Sequence, residues 1–145
     1  MPSTNNTGVM REWLRQCPAI EQARAFGVDF LDSSSSYSLD AVPTALKYRE
    51  NILGDMVLQQ RQEQNYVLAS RDPYGADVAQ NLDNLGALQA VTAWIIDRNN
   101  ARDFPAWEGG EVVAIVPTLT AYPMALGSAF ARYQIQIKVT YRVAG

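Results

Sequence analysis

The sequence predicts an α+β domain: an antiparallel or mixed sheet, packed by an N-terminal helix and one long central helix, and closed by a long strand. Three observations carry this. ARYQIQIKVTYRV, residues 131–143, sets Tyr133, Ile135, Ile137, Val139, Tyr141 and Val143 against Arg132, Gln134, Gln136, Lys138, Thr140 and Arg142. Strand side chains point alternately to opposite faces, so this period of two describes a strand with one buried and one wet face. From about residue 77 to 99, Val78, Leu82, Leu85, Leu88, Val91, Ile95 and Ile96 recur at helical spacing, and Trp94 widens the apolar arc. The remaining apolar runs are short and extended in character, an order that places helices on a sheet.

Taken along the chain, Val9, Trp13, Leu14 and Cys17 share one face of a helix within 8–25, with Thr7 as its N-cap. Pro18 cannot donate within a helix, so a kink or stop is expected near Gln16. FGVDFLD, 26–32, reads as a short strand, and the serines at 33–36 as a loop. SYSLDAVPTALKYRE resumes an extended character around Pro43. Residues 55–70 hold two apolar pieces, 56–58 and 66–69, around a strongly polar middle. This is either a hairpin turning near Arg61–Gln64 or one long strand. Asp77 and Gln80 form a capping-box-like start to the long helix. EVVAIVPTL opens another strand, and 119–130 reads as a connection too long for a tight hairpin. The 145 residues make one domain, with 1–7 flexible.

Composition excludes more than it assigns. The chain contains no histidine, which removes Ser-His-Asp and Cys-His nucleophile systems and histidine-ligated metals. The lone Cys17 can form no internal disulfide and no thiolate cluster, so a reducing compartment is expected. A net charge of −3 and a pI near 4.8 disfavour a nucleic-acid-binding module, which would grip phosphates through cations. The opening MPSTNNTG lacks the apolar run of a signal peptide, and no segment reaches the length of a membrane span. Asp29 with Asp32, and Glu108 with Glu111, are the carboxylate pairs a small metal-dependent enzyme would use, but solvated strand ends explain both better. Ser33–Ser36 lack a base to activate them. No catalytic residue, cofactor site or metal site is expected.

Contact surfaces are the better prospect. The cations Arg132, Lys138 and Arg142 on the wet face of the last strand suit acidic groups, on a neighbouring strand or on a partner protein. Tyr122, Met124, Leu126 and Phe130 make the 119–130 segment too apolar for a solvated connection. It either folds over the core or buries itself in a partner. Trp107, in a Pro/Gly-flanked loop, divides evenly between core lid and partner contact.

NYVLASRDPYG at 65–75, QNLDNL at 80–85, Trp94, Phe104-Pro105 and ARYQIQIKVTY at 131–141 stand in an order that resembles the tail terminator (tail completion) proteins of tailed phages. The resemblance is closest to a group labelled minor capsid protein, from phages and prophages of Clostridia and their relatives. It spans about residues 9–143; the segment 18–44 departs from it. It implies a structural virion protein in the tail or neck, assembled in the host bacterial cytoplasm. Six copies would form a ring on the tail tube protein, stop tube growth and meet the head–tail connector. DNA would pass through the ring without specific binding, and an acidic protein suits that. The alternatives are a head-side neck adaptor or stopper and, from a different class, a small carboxylate- and metal-dependent enzyme.

Overall fold

The computed structural model describes residues 6–28, 36–73, 78–125 and 130–143. Their order is α1 (Asn6–Leu14), β1 (Ala25–Val28), β2 (Ser36–Val42), β3 (Tyr48–Glu50), β4 (Met56–Leu58), β5 (Arg61–Pro73), α2 (Val78–Asn100), β6 (Gly110–Ala125) and β7 (Phe130–Val143). Five strands form a mixed sheet in the order β1-β2-β5-β7-β6, and β3 and β4 form a separate two-stranded sheet. The predicted α+β class is therefore the observed one. β1 runs parallel to β2, and every other pairing is antiparallel.

β7 lies between β5 and β6 and pairs with β5 along its whole length, from Pro73↔Phe130 to Arg61↔Arg142. Its apolar face is the floor of the core: Tyr133, Ile135, Ile137 and Val139 are all buried. Cross-strand register puts Tyr66 and Leu68 of β5 and Tyr37 and Leu39 of β2 on that same face. Onto it pack Met10, Trp13 and Leu14 of α1 and Leu88, Val91 and Ile95 of α2. Trp13 and Trp94 meet where the two helices touch, ring centroids 4.8 Å apart. Each such side chain contributes about 1.5–3 kcal/mol through removal from water.

The helical stripe of α2 is narrower than the sequence pattern implies. Leu82 and Ile96 are exposed. Counting about 100° per residue, Leu82 stands roughly 140° and Ile96 roughly 100° from the line through Leu88, Val91 and Ile95. α1 begins at Asn6, two residues before the predicted start, so Thr7 is not its cap. The Thr7 side chain instead hydrogen-bonds the Tyr66 hydroxyl. The helix ends at Leu14, and tight turns (Cys17 N–H to Leu14 C=O, Ile20 N–H to Cys17 C=O) carry the chain past Pro18. Residues 29–35, including Asp29, Asp32 and Ser33–Ser35, lie outside the described residues.

Two other expectations are corrected. Residues 119–125 are not loop but the second half of β6, which runs beside β7 as far as Ala125↔Ala131. β6 pairs only with β7, so Pro117 and Pro123 withhold donors the edge does not need, and bulges absorb the irregularity. At its start, a Cβ on Gly110 would come within 2.4 Å of the Arg142 carbonyl oxygen, so only glycine fits. Residues 55–70 are two strands of different sheets, and the turn falls at 59–60, at the start of the polar stretch rather than near Arg61–Gln64, which belongs to β5.

Candidate interaction surface

The second face of the sheet carries most of the predicted contact residues, and much of its charge is answered within the chain. Arg132 Nη2 lies 2.8 Å from Asp40 Oδ2 across β5, and Arg132 Nε donates to Gln134 Oε1 at 2.7 Å. Ser38 Oγ donates to the other Asp40 oxygen at 2.6 Å, and Gln134 Nε2 donates to the Tyr122 hydroxyl. Lys138 and Lys47 share Glu63, at 3.6 and 3.2 Å. The paired Lys47 ammonium, with Lys138 beyond it, holds the Glu63 carboxyl below the usual glutamate value. The predicted wet face is thus largely sheltered: Gln134 is buried, and of the β7 cations only Arg142 is exposed. A central strand has neighbours on both sides, and their side chains cover its polar row. Arg142 stands opposite Arg61 on β5 and Glu111 on β6 in register.

Trp107 is 8% exposed and packs on Tyr141, ring centroids 5.3 Å apart, so its place is the lid of the core. Behind it, Asn6 ties α1 to the same loop: its amide donates to the Glu108 carbonyl and accepts from the Glu108 N–H. Met124 lies opposite Arg132, and Phe130 opposite Pro73, in strand register. Leu126 lies outside the described residues.

A second polar cluster sits under α2, around a cavity of about 190 Å³ lined in part by Arg24, Tyr37, Ser70, Asp72 and Asn84. Asp72 is buried, receives Arg24 Nη1 at 2.7 Å and accepts from Ser70 Oγ at 2.7 Å. Arg24 also pairs with Glu21 and lies over the Tyr37 ring, whose hydroxyl accepts from the Glu21 N–H. These groups answer one another and latch the 19–24 segment to the sheet. Cys17 is buried beside this segment, and desolvation pushes its thiol above the usual range, which leaves it a small apolar filler. Among the described residues no three acidic or thiol side chains converge as a metal site.

The surface that sequence reasoning missed is the β3–β4 hairpin, a short arm between β2 and β5. Its strands pair Tyr48↔Leu58, Arg49↔Val57 and Glu50↔Met56, and among the described elements they pack only on each other. Cross-strand partners share a face, so Tyr48, Leu58 and Met56 line one side of the arm with Glu50, while Arg49 and Val57 line the other. At the tip Ile52 is 100% and Leu53 81% exposed; Met56 is 65% exposed. Monomeric proteins seldom display apolar side chains in one contiguous group, and such groups mark contact sites.

The arm is held rigidly in spite of this exposure. Asn51 Oδ1 accepts from the N–H groups of Leu53 and Asp55, and Gly54, at φ 86°, turns the chain between them. At the root, the buried Gln62 amide donates to the Lys47 and Gln59 carbonyls and accepts from the Lys47 N–H. Gln64 donates to the Val42 carbonyl, and Thr44 Oγ1 accepts from the Asn65 N–H. The polar run Gln62–Asn65, puzzling as sequence, is the clip that holds the arm. The signal available in advance was Leu46, Tyr48, Ile52, Leu53 and Met56 crowded around Gly54.

No family model matches the chain, and no curated protein matches it with significant similarity.

Proposed function

We propose that this chain is a structural assembly protein that forms a ring, expected to be of six copies, on the head-proximal end of a phage tail tube. There it ends tube growth and presents a surface to the head connector. The observation that carries this reading is the β3–β4 arm, a preformed element whose apolar side chains have no cover among the described residues. A preorganised apolar projection has little ordering entropy left to lose on binding, so it is suited to protein–protein contact. The order of elements is the one the tail-terminator resemblance implies, and the negative net charge fits a ring that DNA traverses without being held. No helix among the described residues is long and apolar enough to cross a membrane.

The test is to incubate tagged protein with purified cognate tail tubes and locate the tag by negative-stain electron microscopy. Label confined to the head-proximal end is the expected result. Unlabelled tubes alongside folded protein would remove the terminator reading. Label on the portal or adaptor ring instead would identify a neck adaptor.

A further inference from the structure

Both helices pack on the Tyr133–Val139 side of the sheet, and no described element beyond its own strands covers the other side. An antiparallel sheet with one wet face normally lines that face with polar residues. Here register places Val42, Val67, Val116 and Leu119 on it, the valines half-buried and Leu119 47% exposed. Around them every carboxylate has two cations. Asp40 takes Arg132, which stands directly opposite Arg71, and Glu63 is shared by Lys47 and Lys138. Glu111 stands beside Arg142, which is directly opposite Arg61, and both of these arginines are exposed. Of the 12 cations and 15 carboxylates in the sequence, six and three lie in these rows, which leaves six and twelve elsewhere. Like charges directly opposite across a ladder cost stability, and this face carries two arginine pairs so placed. It is an apolar strip in a cationic frame, on an acidic protein.

Such a frame suits a partner that is apolar and acidic at once. A phosphate backbone would meet the cations and leave the valines and Leu119 nothing to pack on. The β3–β4 arm has both properties. Glu50 stands on the side that carries Tyr48, Met56 and Leu58, and Asp55 follows the tip residues Ile52 and Leu53. Both carboxylates are exposed and meet no cation at ion-pair distance among the described residues, and Arg49 lies on the opposite side with Val57. A closed ring joins copies through two different surfaces of one chain, and these two are opposite in charge. We infer that the arm of one copy lies on the uncovered sheet face of the next. Ile52 and Leu53 pack on Val116 and Leu119, and Glu50 and Asp55 turn toward the Arg61–Arg142 pair. The occupant of the face is thus a second copy of this chain, and the inference rests on the ring reading above.

Two charge-reversed forms of the full chain test it. Glu50→Lys with Asp55→Lys reverses the arm, and Arg61→Glu with Arg142→Glu reverses the face. Assembly is followed by sedimentation in solution and by microscopy on tube ends, and folding by circular dichroism. Each form alone is expected to stay folded and lose assembly. Their mixture is expected to assemble again, because reversed arm then meets reversed face and parent arm meets parent face. Cross-linking needs neither form, and so decides the matter even if a reversal unfolds the chain. Ile52→Cys and Leu119→Cys place thiols on the arm tip and the face, and native Cys17 stays buried. A short bismaleimide is expected to couple these two variants to each other and neither to itself. Rings that give no Ile52–Leu119 cross-link, that survive both reversals, or that fail to return on mixing the folded reversed forms would overturn the arm-on-face contact and leave the ring reading standing. Coupling of Ile52→Cys to the tube protein would do the same. So would retention of duplex DNA that falls with Arg61→Glu and Arg142→Glu while assembly is unchanged. A chain that stays monomeric in solution and on tube ends would overturn both.

Discussion

In the β5–β7 ladder Ile135, Ile137 and Val139 are fully buried, whereas in the β3–β4 arm Ile52 is fully exposed and Leu53 and Met56 are largely so. Both regions are antiparallel pairs rich in branched apolar residues, yet different forces hold them. The ladder is fixed by burial beneath two helices. The arm has no burial to rely on; side-chain amides fix it, Asn51 at the tip and Gln62 and Gln64 at the root. A two-stranded hairpin of this size is marginal by itself in water, so the glutamine clip is what makes the arm a defined shape. The comparison separates two quantities usually found together: local order and apolar burial. A segment that has the first without the second is ready to bind.

Substitutions should divide along the same line. Ile137→Ala, at the floor of the core, is expected to cost about 3–4 kcal/mol in urea unfolding, from lost transfer energy and the cavity left behind. Asp72→Ala leaves Arg24 without its buried partner and should cost about 2–3 kcal/mol, below the range for fully enclosed pairs because Arg24 is partly exposed. Gln62→Ala leaves the Lys47 N–H without its acceptor and takes a donor from the Lys47 and Gln59 carbonyls, a loss of about 1–2 kcal/mol. Amide hydrogen exchange should show this loss as faster exchange confined to the arm and its root; uniform acceleration across β5 and β7 would refute the clip.

Glu63→Gln should matter least for stability, within about 1 kcal/mol for a partly exposed ion pair. Its pH dependence is specific. The folded-state pKa of Glu63 lies below the unfolded value, so its contribution is complete above the ordinary glutamate range and vanishes as pH falls through the depressed folded value. The stability gap between parent and Glu63→Gln should therefore close on acidification from pH 6 to 3. A gap that stays constant would show that Lys47 and Lys138 do not hold the carboxylate. At the far end of the scale, Ile52→Asp should change stability by less than about 0.5 kcal/mol, as an exposed substitution does, while its effect on assembly is complete.

The parts legible in the sequence are those where one physical constraint acts alone. The alternation in 131–143 appears in the structure as β7, and the periodicity of 77–99 as α2, because burial on one side imposes its period directly on the residues. The reading of 119–125 failed because Pro123 signals a loop locally, and only the position of β6 at the sheet edge makes it harmless. The reading of 55–70 failed because its polar middle resembles a solvated turn, when Gln62 and Gln64 are turned toward the backbone of a segment fifteen or more residues away.

The candidate surface was less legible than the fold. Arg132 and Lys138 looked available because a strand pattern does not say what lies beside it, and Asp40 and Glu63 come from strands distant in sequence. Trp107 looked ambiguous for the same reason. The sequence by itself determined the α+β class, the long helix, the closing strand and the apolar set that forms the core, since side-chain period and hydrophobicity are local properties. Tertiary structure alone decided which charges are already paired, which prolines a strand can carry and which apolar residues stay uncovered. Strand order and register choose each residue's neighbours, and those neighbours decide whether the same isoleucine fills a core or waits at the tip of an arm.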